Sequence, residues 1–331
     1  MSGGAGLASL APPVHAAQLP AIADFGMDTI TLAGPLEAKL AAIRDAGFSQ
    51  VMLKANDIVG HPGGVDAAVR LVQASGLKVT GFQVLRDFEG LSGHLHGYKV
   101  DIAKAMLGMA RALGAPVLLA CSSTSPHAST DPDAIARDLR KLAMLAVPLG
   151  LKVAYEGLSW GRTIHEYTTA WDAVTRADMP NLGIGIDSYH IVATQTPLDG
   201  LAALDPARIF LVQLSDFMWQ QVRTVEERIS TARTFRVFPG EGVHSAEVAD
   251  LVTRLAALGY RGDYSFEVFN DDYQQLPLPL VAERARRSAE WLGEAVLRRS
   301  VPLPNRMRLE PVAPSAALRR AAPSPPAHPA P

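Results

Sequence analysis

One punctuation recurs along the chain and limits its fold more than any other feature. An amphipathic stretch closes on glycine, and a short apolar or β-branched run follows at once, in "IRDAGFSQVML", "VQASGLKVTGF", "ARALGAPVLLA", "AVPLGLKVAYE" and "LAALGYRGDYSFEV". A helix stopped by a C′ glycine and followed by a continuously apolar strand is the second half of a βαβ unit. Strands apolar on both faces belong to a parallel sheet covered by helices. Counting these units predicts strands near 22–30, 50–54, 77–84, 116–121, 151–156, 182–187, 208–213 and 263–268. Helices are expected near 35–46, 64–75, 97–113, 131–149, 163–177, 197–204, 245–258 and 278–297. Eight alternating units in about 280 residues match an α/β fold of the (β/α)8 TIM-barrel type. A doubly wound sheet is the alternative, but no strand leads into a glycine-rich phosphate loop.

The 331 residues are 48% hydrophobic with a formal net charge of −2, which suits a large globular core and provides no basic footprint for nucleic acid. No apolar run has the length of a membrane span, and the N-terminus lacks the basic start of a secretory signal. The single cysteine, Cys121, excludes an internal disulfide and suits a reducing compartment, so a cytoplasmic protein is expected. Residues 1–20 are expected to be an N-terminal extension, 21–298 the barrel, and 299–331 a Pro/Ala-rich disordered tail. The expected partner is a small molecule. Neither nucleic acid nor membrane is expected, and self-association is left open.

Active sites of such barrels lie at the C-terminal ends of the strands. Four consecutive strands end there on polar groups: Glu156 in "LKVAYEGLSWG", Asp187 in "LGIGIDSYH", Gln213 in "RIFLVQLSD" and Glu267 in "GDYSFEVFND". Three carboxylates gathered in one barrel mouth repel one another and lose hydration unless a positive charge neutralises them, which points to a divalent cation. All four donors are oxygens, so a hard ion such as Mg²⁺ or Mn²⁺, or else Co²⁺, is expected over a zinc site built from His or Cys.

His190, three residues past Asp187, is placed beside such a cation as a general base. A cation on the neighbouring carbonyl oxygen would stabilise the enolate formed. The longest irregular connection, about 214–243, carries Arg223, Arg228, Arg233 and Arg236. Arg236, flanked by Phe235 and Val237, is the candidate for holding a substrate carboxylate or phosphate, whereas Arg223 and Arg228 are expected to pair with Glu226 and Glu227. Arg86 is a second anion-binding candidate, set against a structural pair with Asp87 or Glu89. Cys121 is expected to be a small buried hydrophobe near the mouth. His94 and His96 are expected in a solvated loop.

The motifs "YEGLSWG", "GIDSYH", "FLVQLSD" and "SFEVFND", with "RDFEG" upstream and "FRVFPGEG" between the last two, resemble the sugar phosphate isomerase/epimerase superfamily of xylose-isomerase-like TIM barrels. Over roughly residues 22–290 they are most similar to its bacterial 3-dehydroshikimate dehydratase branch. The resemblance implies one divalent metal on Glu156, Asp187, Gln213 and Glu267, His190 as base, and Arg86 and Arg236 on the substrate carboxylate or its oxygens. It also implies a polyhydroxylated keto acid or keto sugar as the small-molecule partner, and dehydration of 3-dehydroshikimate to protocatechuate, a step of quinate and shikimate degradation. The alternative is a keto-sugar isomerase or epimerase on the same metal, in which Glu156 and Glu267 would serve as paired acid and base.

Overall fold

The computed structural model describes residues 22–299. The expected N-terminal extension (1–20) lies outside the described residues, as does the expected tail beyond Arg299. The described chain forms a closed parallel barrel. Its strands are β1 (Phe25–Asp28), β2 (Gln50–Lys54), β3 (Lys78–Arg86), β4 (Val117–Cys121), β5 (Lys152–Glu156), β6 (Leu182–Asp187), β7 (Ile209–Leu214) and β10 (Tyr264–Phe266). Each strand pairs in parallel with its sequence neighbour in the wall, and β10 closes the ring between β7 and β1.

The outer layer includes α1 (Leu36–Asp45), α3 (Gly64–Ala74), α4 (Gly93–Leu113), α5 (Pro132–Ala146), α6 (Tyr167–Ala177), α9 (Ser245–Leu258) and α10 (Leu278–Glu290). α5 shows how sequence makes such a helix. Asp131 caps it by accepting from the Asp133 N–H, Pro132 occupies the first turn, and Ile135, Leu139, Leu142 and Ala146 bury one stripe. The glycines that punctuate the sequence do end helices: Gly114 caps α4 at φ 73° and Gly259 caps α9 at φ 103°, a left-handed conformation that costs other residues a Cβ clash.

Alternation along each strand sorts side chains between two cores. In β4, Leu118 and Ala120 face the helices, whereas Val117, Leu119 and Cys121 point into the barrel with Met52, Ala154 and Leu211. The same parity sends Tyr155 outward and Glu156 inward, Ile186 outward and Asp187 inward, Val212 outward and Gln213 inward, Phe266 outward and Glu267 inward. Four polar side chains thus enter one end of a lumen that also holds the apolar Met52, Leu119, Ala154 and Leu211.

Several local expectations differ from the structure. The helix expected near 197–204 is a 3-10 segment, Leu198–Ala203, and the α-helix of this unit is the short α7 (Ser188–Thr194), which starts directly after Asp187. Asp187 accepts from the Tyr189 N–H and so caps the helix that carries His190. α2 (Ala55–Val59) had no periodic signal. His94 and His96, expected in a loop, lie in the first turns of α4, where the His96 ring packs edge-on against Phe88. The irregular 214–243 connection contains an antiparallel ribbon of β8 (Asp216–Phe217) and β9 (Arg236–Val237), with α8 (Val225–Thr234) between them. Glu227 forms a capping box with Thr224 rather than a salt bridge to Arg228, because its carboxylate accepts from the Arg223 and Thr224 N–H groups just before the helix. Arg228 donates instead to the Ser159 carbonyl at 3.1 Å, and Arg223 to Gln221 Oε1 at 2.9 Å.

Candidate active site

Register brings the strand-end residues together. Cys121 is level with Glu156 across β4 and β5, Asp187 with Gln213 across β6 and β7, and Gln213 with Ser265 across β7 and β10. Ligating atoms of Glu156, Asp187 and His190 all lie within 4.8 Å of one another, and all three residues are buried. Gln213 is 0% exposed, and neither its amide oxygen nor its nitrogen has a hydrogen-bond partner. Glu156 Oε1 is equally buried and unpartnered. Buried polar atoms left unsatisfied cost on the order of 1–3 kcal/mol each, so two such oxygens, Glu156 Oε1 and Gln213 Oε1, at neighbouring strand ends fit a site built to hold a cation.

The electrostatics agree. Burial pushes the Glu156 carboxyl well above the usual carboxylate range, and the charges of Asp187 and Glu267 push it the same way. Burial also raises Glu267, opposed by Arg236. The guanidinium of Arg236, only 2% exposed, supplies the positive charge present among these residues. Its Nη1 donates to Asp187 Oδ2 at 2.7 Å and Glu267 Oε2 at 3.1 Å, while Nε donates to the Ala232 carbonyl. Arg236 therefore sits deeper than a residue that only holds substrate, and it fixes two of the candidate ligands.

His190 is held on both nitrogens. Nδ1 lies 3.1 Å from the Ser159 N–H and 3.1 Å from Ser159 Oγ, and Nε2 lies 3.6 Å from Asp187 Oδ2. Trp160 packs edge-on against the ring at 5.1 Å. Burial lowers the imidazole pKa to about 4, with Asp187 opposing the shift, so it is neutral near pH 7. Ser159 offers Nδ1 both a donor and an acceptor. Nδ1 accepts from the Ser159 N–H, so the neutral ring carries its proton on Nε2, on the side of Asp187.

The cavity above these groups measures about 310 Å³ and is lined by Gln83, Arg86, Trp160, Arg233, Arg236 and Phe269, along with Glu156, His190 and Glu267. Arg86 does not pair with its neighbours. Asp87 is taken by the Thr124 N–H at 2.7 Å, and Glu89 by the Ser123 N–H and the Tyr155 hydroxyl. A larger cavity of about 400 Å³ lies behind α7 against Phe217 and Leu251, but the strand-end carboxylates do not line it.

Sequence reasoning missed Asp28 and Gln83 in the lumen, and it placed Cys121 at the mouth only as a small buried hydrophobe. Gln83 donates to the buried carboxylate of Asp28, beside Glu267, and Cys121 Sγ donates to Glu156 Oε2 at 2.9 Å. Strand parity carries the signal for all three, since each is a polar or thiol residue at an inward position near a strand end.

Comparison with known proteins gives a matching picture. A 3-dehydroshikimate dehydratase of Pseudomonas aeruginosa is 36% identical over 266 residues, covering 80% of this chain but 41% of that protein, so the chain spans about two fifths of its length. An inosose isomerase of Bacillus velezensis is 26% identical over 210 residues, covering 61% of this chain and 70% of its own. Among solved structures, a xylose isomerase-like TIM barrel/4-hydroxyphenylpyruvate dioxygenase fusion protein superposes with a TM-score of 0.77 at 32% identity, over 83% of this chain and 43% of that one. The IOLI protein, solved with a bound zinc atom, shares the fold at a TM-score of 0.71 and 19% identity, over 82% of this chain and 99% of that one. The family model for xylose isomerase-like TIM barrels matches residues 40–295, and with the closed barrel and the strand-end cluster in place, the chain belongs to the xylose isomerase-like TIM barrel family.

Proposed function

We propose that this chain is a metal-dependent dehydratase that converts 3-dehydroshikimate to protocatechuate, a lyase step in the breakdown of hydroaromatic acids. The observation that carries the reading is the lumen-facing set Glu156, Asp187, Gln213 and Glu267, in which Glu156 Oε1 and Gln213 Oε1 are buried without a partner, beside a cavity that Arg86 lines. The similarity to 3-dehydroshikimate dehydratases over 80% of the chain supports the substrate.

Glu156, Asp187, Gln213 and Glu267 would hold one divalent cation, Mg²⁺, Mn²⁺ or Co²⁺, through oxygen. Such a cation supplies the positive charge that polarises a substrate ketone. Arg86 binds the substrate carboxylate, and Arg236 keeps Asp187 and Glu267 in place while facing the same cavity. His190 removes the proton from the carbon α to the ketone, its ring oriented through Nδ1 by the Ser159 N–H and hydroxyl. The electron pair left behind expels the β-hydroxyl, which departs with a proton as water. Transfer of a second ring proton to the ketone oxygen completes the aromatic ring. Trp160 and Phe269 line the cavity and limit water around the proton being moved.

We place the residues before 21 and after 298 outside the catalytic domain, and the working compartment in the cytoplasm, where the one thiol, Cys121, stays reduced. The similarity to inosose isomerases keeps keto-sugar isomerisation as the competing reaction on the same site, with Glu156 and Glu267 as the acid and base. Incubating the Mn²⁺-loaded full chain with 3-dehydroshikimate, and separately with an inosose, decides between them. The proposal expects protocatechuate absorbance to rise with the first and no isomer from the second, with activity lost on chelation and restored by Mn²⁺. The reverse substrate pattern overturns it.

A further inference from the structure

Cys121 stands where it can decide how Glu156 meets its ligand. The two residues are level on adjacent parallel strands, and both point into the lumen. The thiol donates to Glu156 Oε2 at 2.9 Å. The other oxygen, Oε1, is buried with no partner, although the ligating atoms of Asp187 and His190 lie within 4.8 Å of this carboxylate. Unrestrained, a glutamate carboxyl turns broadly about its last torsion and presents either oxygen or both.

We infer that Cys121 is a positioning residue for the cation site: its thiol holds Glu156 by Oε2, so that Oε1 alone faces the cation and sulfur stays out of the coordination sphere. The inference rests on the cation reading of the site and is independent of the substrate. Partners of ligating carboxylates contribute about tenfold or more to metal affinity, because they orient the ligand before the ion arrives.

Calorimetric titration with Mn²⁺ alone tests it on the full-length wild type and on Cys121→Ala, Cys121→Val and Cys121→Ser. The alanine and valine variants lose the donor, with valine filling the thiol's space, whereas serine keeps a donor. The expected result is about tenfold weaker Mn²⁺ binding for Cys121→Ala and Cys121→Val, with recovery toward wild type in Cys121→Ser. Co²⁺-loaded wild type is expected to show no sulfur-to-cobalt charge-transfer band in the near ultraviolet, and this measurement needs no variant. Wild-type affinity in a folded Cys121→Ala or Cys121→Val overturns the inference and leaves the site reading intact. A charge-transfer band makes sulfur a ligand and overturns it as well. Failure of the wild type to bind Mn²⁺ overturns the cation reading and this inference together.

Discussion

The guanidinium of Arg236 donates through Nη1 to Asp187 Oδ2 at 2.7 Å, and both side chains are buried. This contact links the 214–243 excursion to the wall of the barrel. The antiparallel pairing of Arg236 with Phe217 in the β8–β9 ribbon, and Arg236 Nε on the Ala232 carbonyl, aim the guanidinium at the mouth. Removing one partner of a buried pair strands the other charge, so Arg236→Ala is expected to destabilise the metal-free protein by about 3–5 kcal/mol. Urea unfolding in chelator checks this, and a loss under about 1 kcal/mol would show that the pair is not holding the site together.

His190 is expected to move protons without holding the cation. His190→Ala should reduce turnover by roughly 10²–10⁴-fold while Mn²⁺ affinity stays close to wild type. A parallel loss of Mn²⁺ affinity would place Nε2 among the ligands, as its nearness to Glu156 and Asp187 permits. Ser159→Ala removes the hydroxyl that helps orient the His190 ring at Nδ1, and about a tenfold drop in kcat with unchanged KM is expected.

Arg86 lines the cavity, while Asp87 and Glu89 are occupied elsewhere. Arg86→Ala should raise KM for 3-dehydroshikimate by roughly tenfold or more, consistent with loss of a charge-assisted contact to a carboxylate, and protocatechuate should bind more weakly in parallel. Equal protocatechuate affinity in the two proteins would remove Arg86 from substrate binding.

Glu89 links stability to pH. Burial raises its carboxyl from 4.5 to about 7, outweighing the hydrogen bonds from Ser123 and Tyr155. The proton is held more tightly in the folded state, so the stabilisation is complete below about pH 4.5 and is lost as pH rises through about 7. Glu89→Gln removes this term. Between about pH 4 and pH 8 its unfolding free energy should gain about 3 kcal/mol relative to wild type. Parallel stability curves for the two proteins would contradict the assignment.

Much of the barrel was legible locally. A glycine after an amphipathic run and an apolar strand after the glycine are short-range signals, and they located all eight wall strands to within a few residues. Asp187, Glu156, Gln213 and Glu267 were visible because each interrupts an apolar run at its end. What escaped depended on partners distant in sequence. His94 and His96 look like loop residues until α4 is seen to begin at Gly93. Cys121 looks like a small hydrophobe until β5 sets Glu156 beside it. The 214–243 segment lacks periodicity because a two-residue ribbon and a capped, mostly polar helix bury little apolar surface.

The sequence by itself determined the eightfold repeat, the parallel wall and the chemical character of the mouth, because helix stops, strand alternation and strand-end acids act over a few residues. Only the tertiary structure decided which oxygens are free and which are already taken. It put Arg236 on Asp187 and Glu267, Cys121 on Glu156, and Ser159 on His190. These pairings span 31 to 49 residues of chain, and barrel closure and register set them rather than any local preference.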